Sequence, residues 1–317
     1  MKTISFNTVR NMGIDPAKCY EWVSDTILRK KETLLPAKIH MDLPGSVFCN
    51  VMPSIIREKG MSFGGVKIVT RYPERQPSLD SKIILFDAES GEMLALMDGN
   101  WITAMRTGAV AAHSIMLLAK KEFSTVSMIG LGNVARSSLL VLAAVSKRQL
   151  HIRLLRYKDQ AERFIERFDG FENISFSIVD SVEECIKGTD VVLSCATYFE
   201  NDIARPEWFD EGVLVVPVHT RGFMNCDLFF DKVFADDYGH VCHFKYFDRF
   251  RSFAEVSDVV NGSAKGREND YERILAYNIG LSIHDVKFAA NIYRIAVGRG
   301  IDLQEIALEE PTEKFWI

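Results

Sequence analysis

The 317 residues contain no apolar run approaching the roughly 18 that a bilayer crossing requires, so no membrane span is expected. Positive charge is not in excess: 38 lysines and arginines against 43 aspartates and glutamates leave a net charge of −5. A mildly acidic chain lacks the basic field that draws proteins onto nucleic acid or anionic lipid, and neither is expected as a partner. The six cysteines form no CxxC pair and mostly sit in apolar context, as Cys195 does in VVLSCAT. They read as reduced core thiols, not as a disulfide framework. The opening MKTISFNTVRNMGIDPAKC has no signal-peptide apolar stretch, and the expected location is cytoplasmic. HExxH does not occur, and no hydrolase is expected. His240, Cys242 and His243 lie close together, but only the two histidines share a helical face and no further ligand pair accompanies them. No metal site is expected. What remains is a chain 47% hydrophobic and 26% charged, long enough for about two globular domains.

The first third is strand-rich. Asp15-Pro16 opens a helix as N-cap and first residue, with Cys19, Trp22, Val23 and Ile27 at helical spacing. The stretches VFCNVM (47–52) and GGVKIVTRY (64–72) follow, and then a hairpin from Lys82 to Asp98 turning at Ala88-Glu89-Ser90-Gly91. The pairing reads as antiparallel. A helix over about 100–121 carries an apolar stripe of Ile102, Met105, Ala109, Ala112 and Met116. Thr103 and Arg106 lie on another stripe near its start, where the helix dipole disfavours a cation unless an anionic ligand is near.

From Ser124 the texture changes to alternation. TVSMI, LHIRLL, ISFSIV, TDVVLSCAT, GVLVVPV and KVFADD are strands, most of them near-continuously apolar, interleaved with helical segments. That pattern predicts an α/β doubly wound parallel sheet with both faces covered. Gly130-Leu131-Gly132-Asn133-Val134-Ala135 follows a strand and opens a helix, the context in which such a turn receives a dinucleotide pyrophosphate. At the end of the next strand an NAD enzyme places a carboxylate for the ribose 2′-OH. Here the sequence is Leu154-Leu155-Arg156-Tyr157-Lys158, and Arg156 and Lys158 favour NADP(H) over NAD(H).

Several motifs together resemble the ornithine cyclodeaminase/μ-crystallin family across nearly the whole chain. They are Met52-Pro53, the strand GGVKIV with Lys67, FDAESGEMLALMDG, and Trp101-Ile102-Thr103-Ala104-Met105-Arg106-Thr107. Gly130-Leu131-Gly132 and the late Asn278-Ile279-Gly280 through His284-Asp285 complete the set. The resemblance implies a Rossmann-type nucleotide domain, placed at 116–289, and a strand-rich α+β substrate-binding and dimerisation domain of residues 1–115 plus about 290–317. It implies hydride transfer between NAD(P) and the α-carbon of an amino or imino acid, and a homodimer. By motif match Lys67 is the central catalytic lysine, Arg106 the clamp on the substrate carboxylate, Met52 a substrate contact, and Thr107 and Asp285 neighbours of the cofactor. Independently, Lys67 lies among Val66, Ile68 and Val69, where desolvation would move its pKa toward useful acid–base values, and Arg106 offers a planar fork for a carboxylate.

Two departures from the family pattern matter. An arginine common after a proline in the first third is Lys38 here, which keeps the charge without the bidentate geometry. The aspartate that handles the amine in ornithine-cyclising members is replaced by Arg221, or by Thr220. An arginine there repels the ornithine side chain and attracts a second anionic group. His219 in the same segment is a candidate proton donor or a structural histidine. Three readings stand: an amino-acid dehydrogenase or ketimine reductase first, then a redox-neutral cyclodeaminase, then a ligand-binding protein without catalysis.

Overall fold

The computed structural model describes residues 1–58, 60–196, 199–219 and 222–308. Along the chain these form β1 (Lys2–Ile4), α1 (Phe6–Asn11), α2 (Pro16–Leu28), β2 (Ile39–Leu43), β3 (Val47–Glu58), β4 (Met61–Arg71), β5 (Leu79–Asp87), β6 (Met93–Asp98) and α3 (Asn100–Leu118). Next come β7 (Thr125–Ile129), α4 (Asn133–Val145), β8 (Leu150–Leu155), α5 (Gln160–Glu166), β9 (Ile174–Val179), α6 (Val182–Ile186), β10 (Val191–Ser194) and β11 (Leu214–Pro217). The chain continues with β12 (Lys232–Ala235), α7 (Tyr238–Val241), β13 (Phe253–Glu255), α8 (Val256–Val260), β14 (Ile274–Tyr277) and α9 (Ser282–Gly298). No described helix is long and apolar enough to cross a membrane.

Two compact units result. One holds Met1–Gly13, Thr33–Ile102 and the described residues from Asp285 on; the other holds Ile14–Glu32 and Thr103–His284. These limits differ from those read from sequence, which kept residues 14–32 with the N-terminal strands and placed the later boundaries at 115/116 and near 290. The difference at α2 has a packing cause. Asp15 caps it by accepting from the Ala17 N–H at 2.8 Å, and its buried stripe of Cys19, Trp22, Val23 and Ile27 lies on a helix packed against α4 and α8.

The first unit is built on a six-stranded sheet in the order β1-β6-β5-β4-β3-β2. Its pairings are antiparallel as expected, except that β1 runs parallel to β6. The β5–β6 hairpin turns where expected, with Asp87 accepting from the Glu89 and Ser90 N–H groups and Gly91 at φ 80°. On β4, Phe63, Gly65, Lys67 and Val69 are buried while the intervening Ile68 is 41% exposed. The adjacent glycines of this strand have separate packing reasons. A Cβ on Gly64 would lie 2.1 Å from the Phe86 ring, and one on Gly65 would lie 2.8 Å from Val286 of α9. Without side chains, β4 admits both neighbours.

The second unit carries an eight-stranded sheet, β13-β12-β14-β11-β10-β7-β8-β9, parallel throughout. Its central strands β10, β11 and β14 are buried along their whole length, which is what their unbroken apolar sequences require. From β7 the chain proceeds through β8 to β9 on one side and resumes at β10 on the other. The crevice at the carboxyl ends of β7 and β10 is therefore the switch point, where doubly wound sheets bind ligands.

Candidate functional site

In the first unit, Lys67 is 1% exposed and its Nζ stands 2.8 Å from Oδ2 of Asp285, which is fully buried. Asp285 lies in the first turn of α9, where a carboxylate is favoured by the helix dipole. The register of the sheet sets Met52 of β3 and Ile83 of β5 on either side of Lys67, and Met52 is 5% exposed. The burial of the lysine does not come from Val66 and Ile68, which alternate to the other face of β4. It comes from the inner face of the sheet and from α9. Lys38 is half-buried in the segment leading into β2.

In the second unit, the glycine turn sits at the switch point. Gly130 takes φ 80°, and a Cβ there would lie 2.6 Å from the Ala196 nitrogen just beyond β10. Only glycine allows that approach. Gly132 has open space instead: none of the described residues lies within 4 Å of where its Cβ would be. It opens α4 with no side-chain cap, and the first turn, beginning with Asn133 and Val134, holds no acidic residue. The leading N–H groups of α4 are thus available to an anion. The residues fit a dinucleotide pyrophosphate.

Helix α3 is pressed onto α4. A Cβ on Gly108 would fall 2.5 Å from the Ser137 backbone, and Ser137 Oγ donates to the Ala104 carbonyl at 2.7 Å. Two residues before Gly108 is Arg106, 6% exposed, whose guanidinium lies against Gly280; a Cβ there would be 2.4 Å from Nη1. Gly280, at φ 100°, donates its N–H to Asp236 at the end of β12. The buried Asp236 also meets His240 Nδ1 at 3.2 Å. Asp236 was missed from sequence; its only signal was an acid directly after the strand KVFA. The Thr107 hydroxyl turns back to donate to the Thr103 carbonyl at 2.6 Å, so it offers a ligand lone pairs in preference to its proton.

At the tip of β8, Arg156 does not stand as an unpaired cation. Its Nε donates to Asp180 at 2.7 Å and its Nη1 to Glu162 at 2.5 Å. Lys158 takes a left-handed φ of 51° and sets its Nζ 5.3 Å from the centre of the Tyr157 ring. His219 Nε2 lies 2.7 Å from Ser194 Oγ at the end of β10, and its ring packs edge-on against Phe199 and face-on against Phe223. This anchoring suits a structural histidine as well as a proton donor. Thr220 and Arg221 lie outside the described residues.

The fold is similar to the solved Δ1-pyrroline-2-carboxylate reductase of Thermococcus litoralis in complex with NADH and L-proline. The TM-score is 0.83 and the identity 23%, over 96% of this chain and 100% of that one. In sequence the chain is 29% identical to the N-((2S)-2-amino-2-carboxyethyl)-L-glutamate dehydrogenase of Staphylococcus aureus, covering 69% of each. It is 25% identical to a Δ1-pyrroline-2-carboxylate reductase of Bacillus cereus, over 79% of this chain and 82% of that one. The family model of the ornithine cyclodeaminase/mu-crystallin family matches residues 45–300, and the chain belongs to that family.

Proposed function

We propose that the protein is an NAD(P)-dependent oxidoreductase that moves a hydride to or from the α-carbon of an amino or imino acid. The observation that carries this reading is the buried Lys67–Asp285 pair, a proton donor held dry in a chain that also presents an open glycine turn to a dinucleotide. When bound, the dinucleotide supplies or accepts the hydride. In the reductive direction Lys67 delivers a proton to the substrate nitrogen, and Asp285 holds the ammonium in place. In the oxidative direction Lys67 takes the proton back. Arg106 binds the α-carboxylate through its fork and is steadied by Gly280 and Asp236. His219 is the second candidate for moving a proton.

The names of the relatives support a small amino or imino acid, and the Staphylococcus aureus enzyme is named for a carboxyethyl derivative of glutamate. Arg221 and Lys38 favour the same class, a substrate with a second anionic group, with Met52 as its apolar contact. Thr107, Gly130, Gly132, Asn133 and Val134 line the dinucleotide, while Arg156 and Lys158 favour NADP(H). A homodimer belongs to the same reading. Ile39, Met41 and Ile68 are 56%, 43% and 41% exposed on the β2–β4 part of the first unit's sheet, and an exposed apolar strand edge calls for a partner. A solved archaeal alanine dehydrogenase of similar fold is a dimer. We place the protein in the cytoplasm, consistent with cysteines used as buried thiols at 19, 185 and 226.

The reading is tested by following reduced-nicotinamide absorbance over a panel of amino acids with the oxidised dinucleotide, and of keto acid plus amine pairs with the reduced one. A change with at least one member is expected, strongest where a second carboxylate is present. Unchanged absorbance across the panel contradicts net oxidoreduction.

A further inference from the structure

The end of β8 holds more than the two cations its sequence displays. The Arg156 N–H donates to the Val179 carbonyl at 2.9 Å, which extends the β8–β9 pairing one step and brings Asp180 beside the guanidinium. Glu162 reaches the same group from the first turn of α5. The carboxylates occupy Nε and Nη1, and among the described residues Nη2 has no hydrogen-bond partner. All three side chains are accessible, at 44% for Arg156, 49% for Glu162 and 76% for Asp180. Pairs between exposed groups hold weakly and yield to a stronger ligand. A phosphate monoester is such a ligand, with nearly two negative charges and three acceptor oxygens. It must nonetheless approach a guanidinium already flanked by two like charges, and formally Asp180 and Glu162 cancel Arg156 and Lys158 together. A dinucleotide without that phosphate meets no such competition.

We propose that Asp180 and Glu162 set the dinucleotide selectivity of this protein by competing with the ribose 2′-phosphate for Arg156. They are specificity-determining residues that restrain a preference Arg156 would otherwise impose strongly. The inference rests on the nucleotide-binding reading above. Sequence inspection of the strand tip finds the cations but not the restraint, because the acids arrive from β9 and α5.

The test is fluorescence titration of NADPH and NADH against the wild type, against Asp180→Asn with Glu162→Gln, and against that double variant with Arg156→Ala added. The substituted side chains are exposed, so the fold is expected to tolerate the changes. In the double variant the Kd for NADPH falls by about tenfold while that for NADH stays within about twofold. Adding Arg156→Ala abolishes the gain. An unchanged NADPH-to-NADH ratio in the double variant, with both nucleotides bound, overturns this inference alone. So does a gain that persists without Arg156. A wild type that binds neither nucleotide overturns the nucleotide reading and this inference with it.

Discussion

Removing a lysine from water costs several kcal/mol, and at Lys67 a carboxylate 2.8 Å away offsets that cost. The pair links catalysis and stability, and the two can be separated. Lys67→Ala is expected to lower kcat by about 100-fold or more and also to destabilise the fold by about 3–5 kcal/mol, because the buried Asp285 loses the cation it is paired with. Adding Asp285→Asn should restore thermal stability without restoring kcat. Near-normal turnover in Lys67→Ala would remove the lysine from the mechanism. Arg106→Ala should act chiefly on KM, with a loss of about 2–4 kcal/mol in kcat/KM. Gly280→Ala should move KM in the same direction, since the new methyl would press on the guanidinium and the backbone is at φ 100°. Motifs single out Lys67 and Arg106 in the sequence, and both side chains are buried. The partner of Lys67 is not legible there, because Asp285 reaches it from a distant helix and its resemblance-based role pointed to the cofactor. The carboxylates beside Arg156 escape the sequence in the same way: a strand tip shows its own residues and not the acids that neighbouring elements bring to it.

At the scale of elements, the segment joining β11 to β12 buries a carboxyl in an aromatic core. Asp227 is 1% exposed and accepts from the Tyr277 hydroxyl at 2.6 Å, while its other oxygen is buried with no hydrogen-bond partner among the described residues. Burial raises its pKa to about 7; the Tyr277 hydrogen bond opposes the shift, and the negative charge of Asp202 adds to it. The folded chain then holds a proton that the unfolded chain has released. Stability contributed by this group therefore falls as pH rises from the unfolded value near 4 toward 7. Asp227→Asn should flatten that fall, by on the order of 2–3 kcal/mol between pH 5 and 8. Denaturant titrations at both pH values would show it, and an identical slope in the variant would contradict the assignment. The elements themselves were largely readable, since unbroken apolar strands and a capped α2 announce themselves locally. The parallel pairing of β1 with β6 was not, because three residues carry no period from which to read a partner.

For the whole molecule, the change of texture at Ser124 located the nucleotide-binding sheet, but contacts and not texture decide which unit owns α2. The expected dimer is open to sedimentation equilibrium: two copies at micromolar concentration, and a shift toward monomer in Ile68→Lys, which charges the exposed face of β4. A monomer at all concentrations would remove the dimer. Net hydride transfer between the α-carbon and the dinucleotide is tested most directly by following that hydrogen. An amino acid from the panel, deuterated at the α-carbon, is turned over with the oxidised dinucleotide, and the products are weighed by mass spectrometry. Deuterium is expected on the reduced nicotinamide. Deuterium returned to a cyclised product, or lost to water, would contradict it.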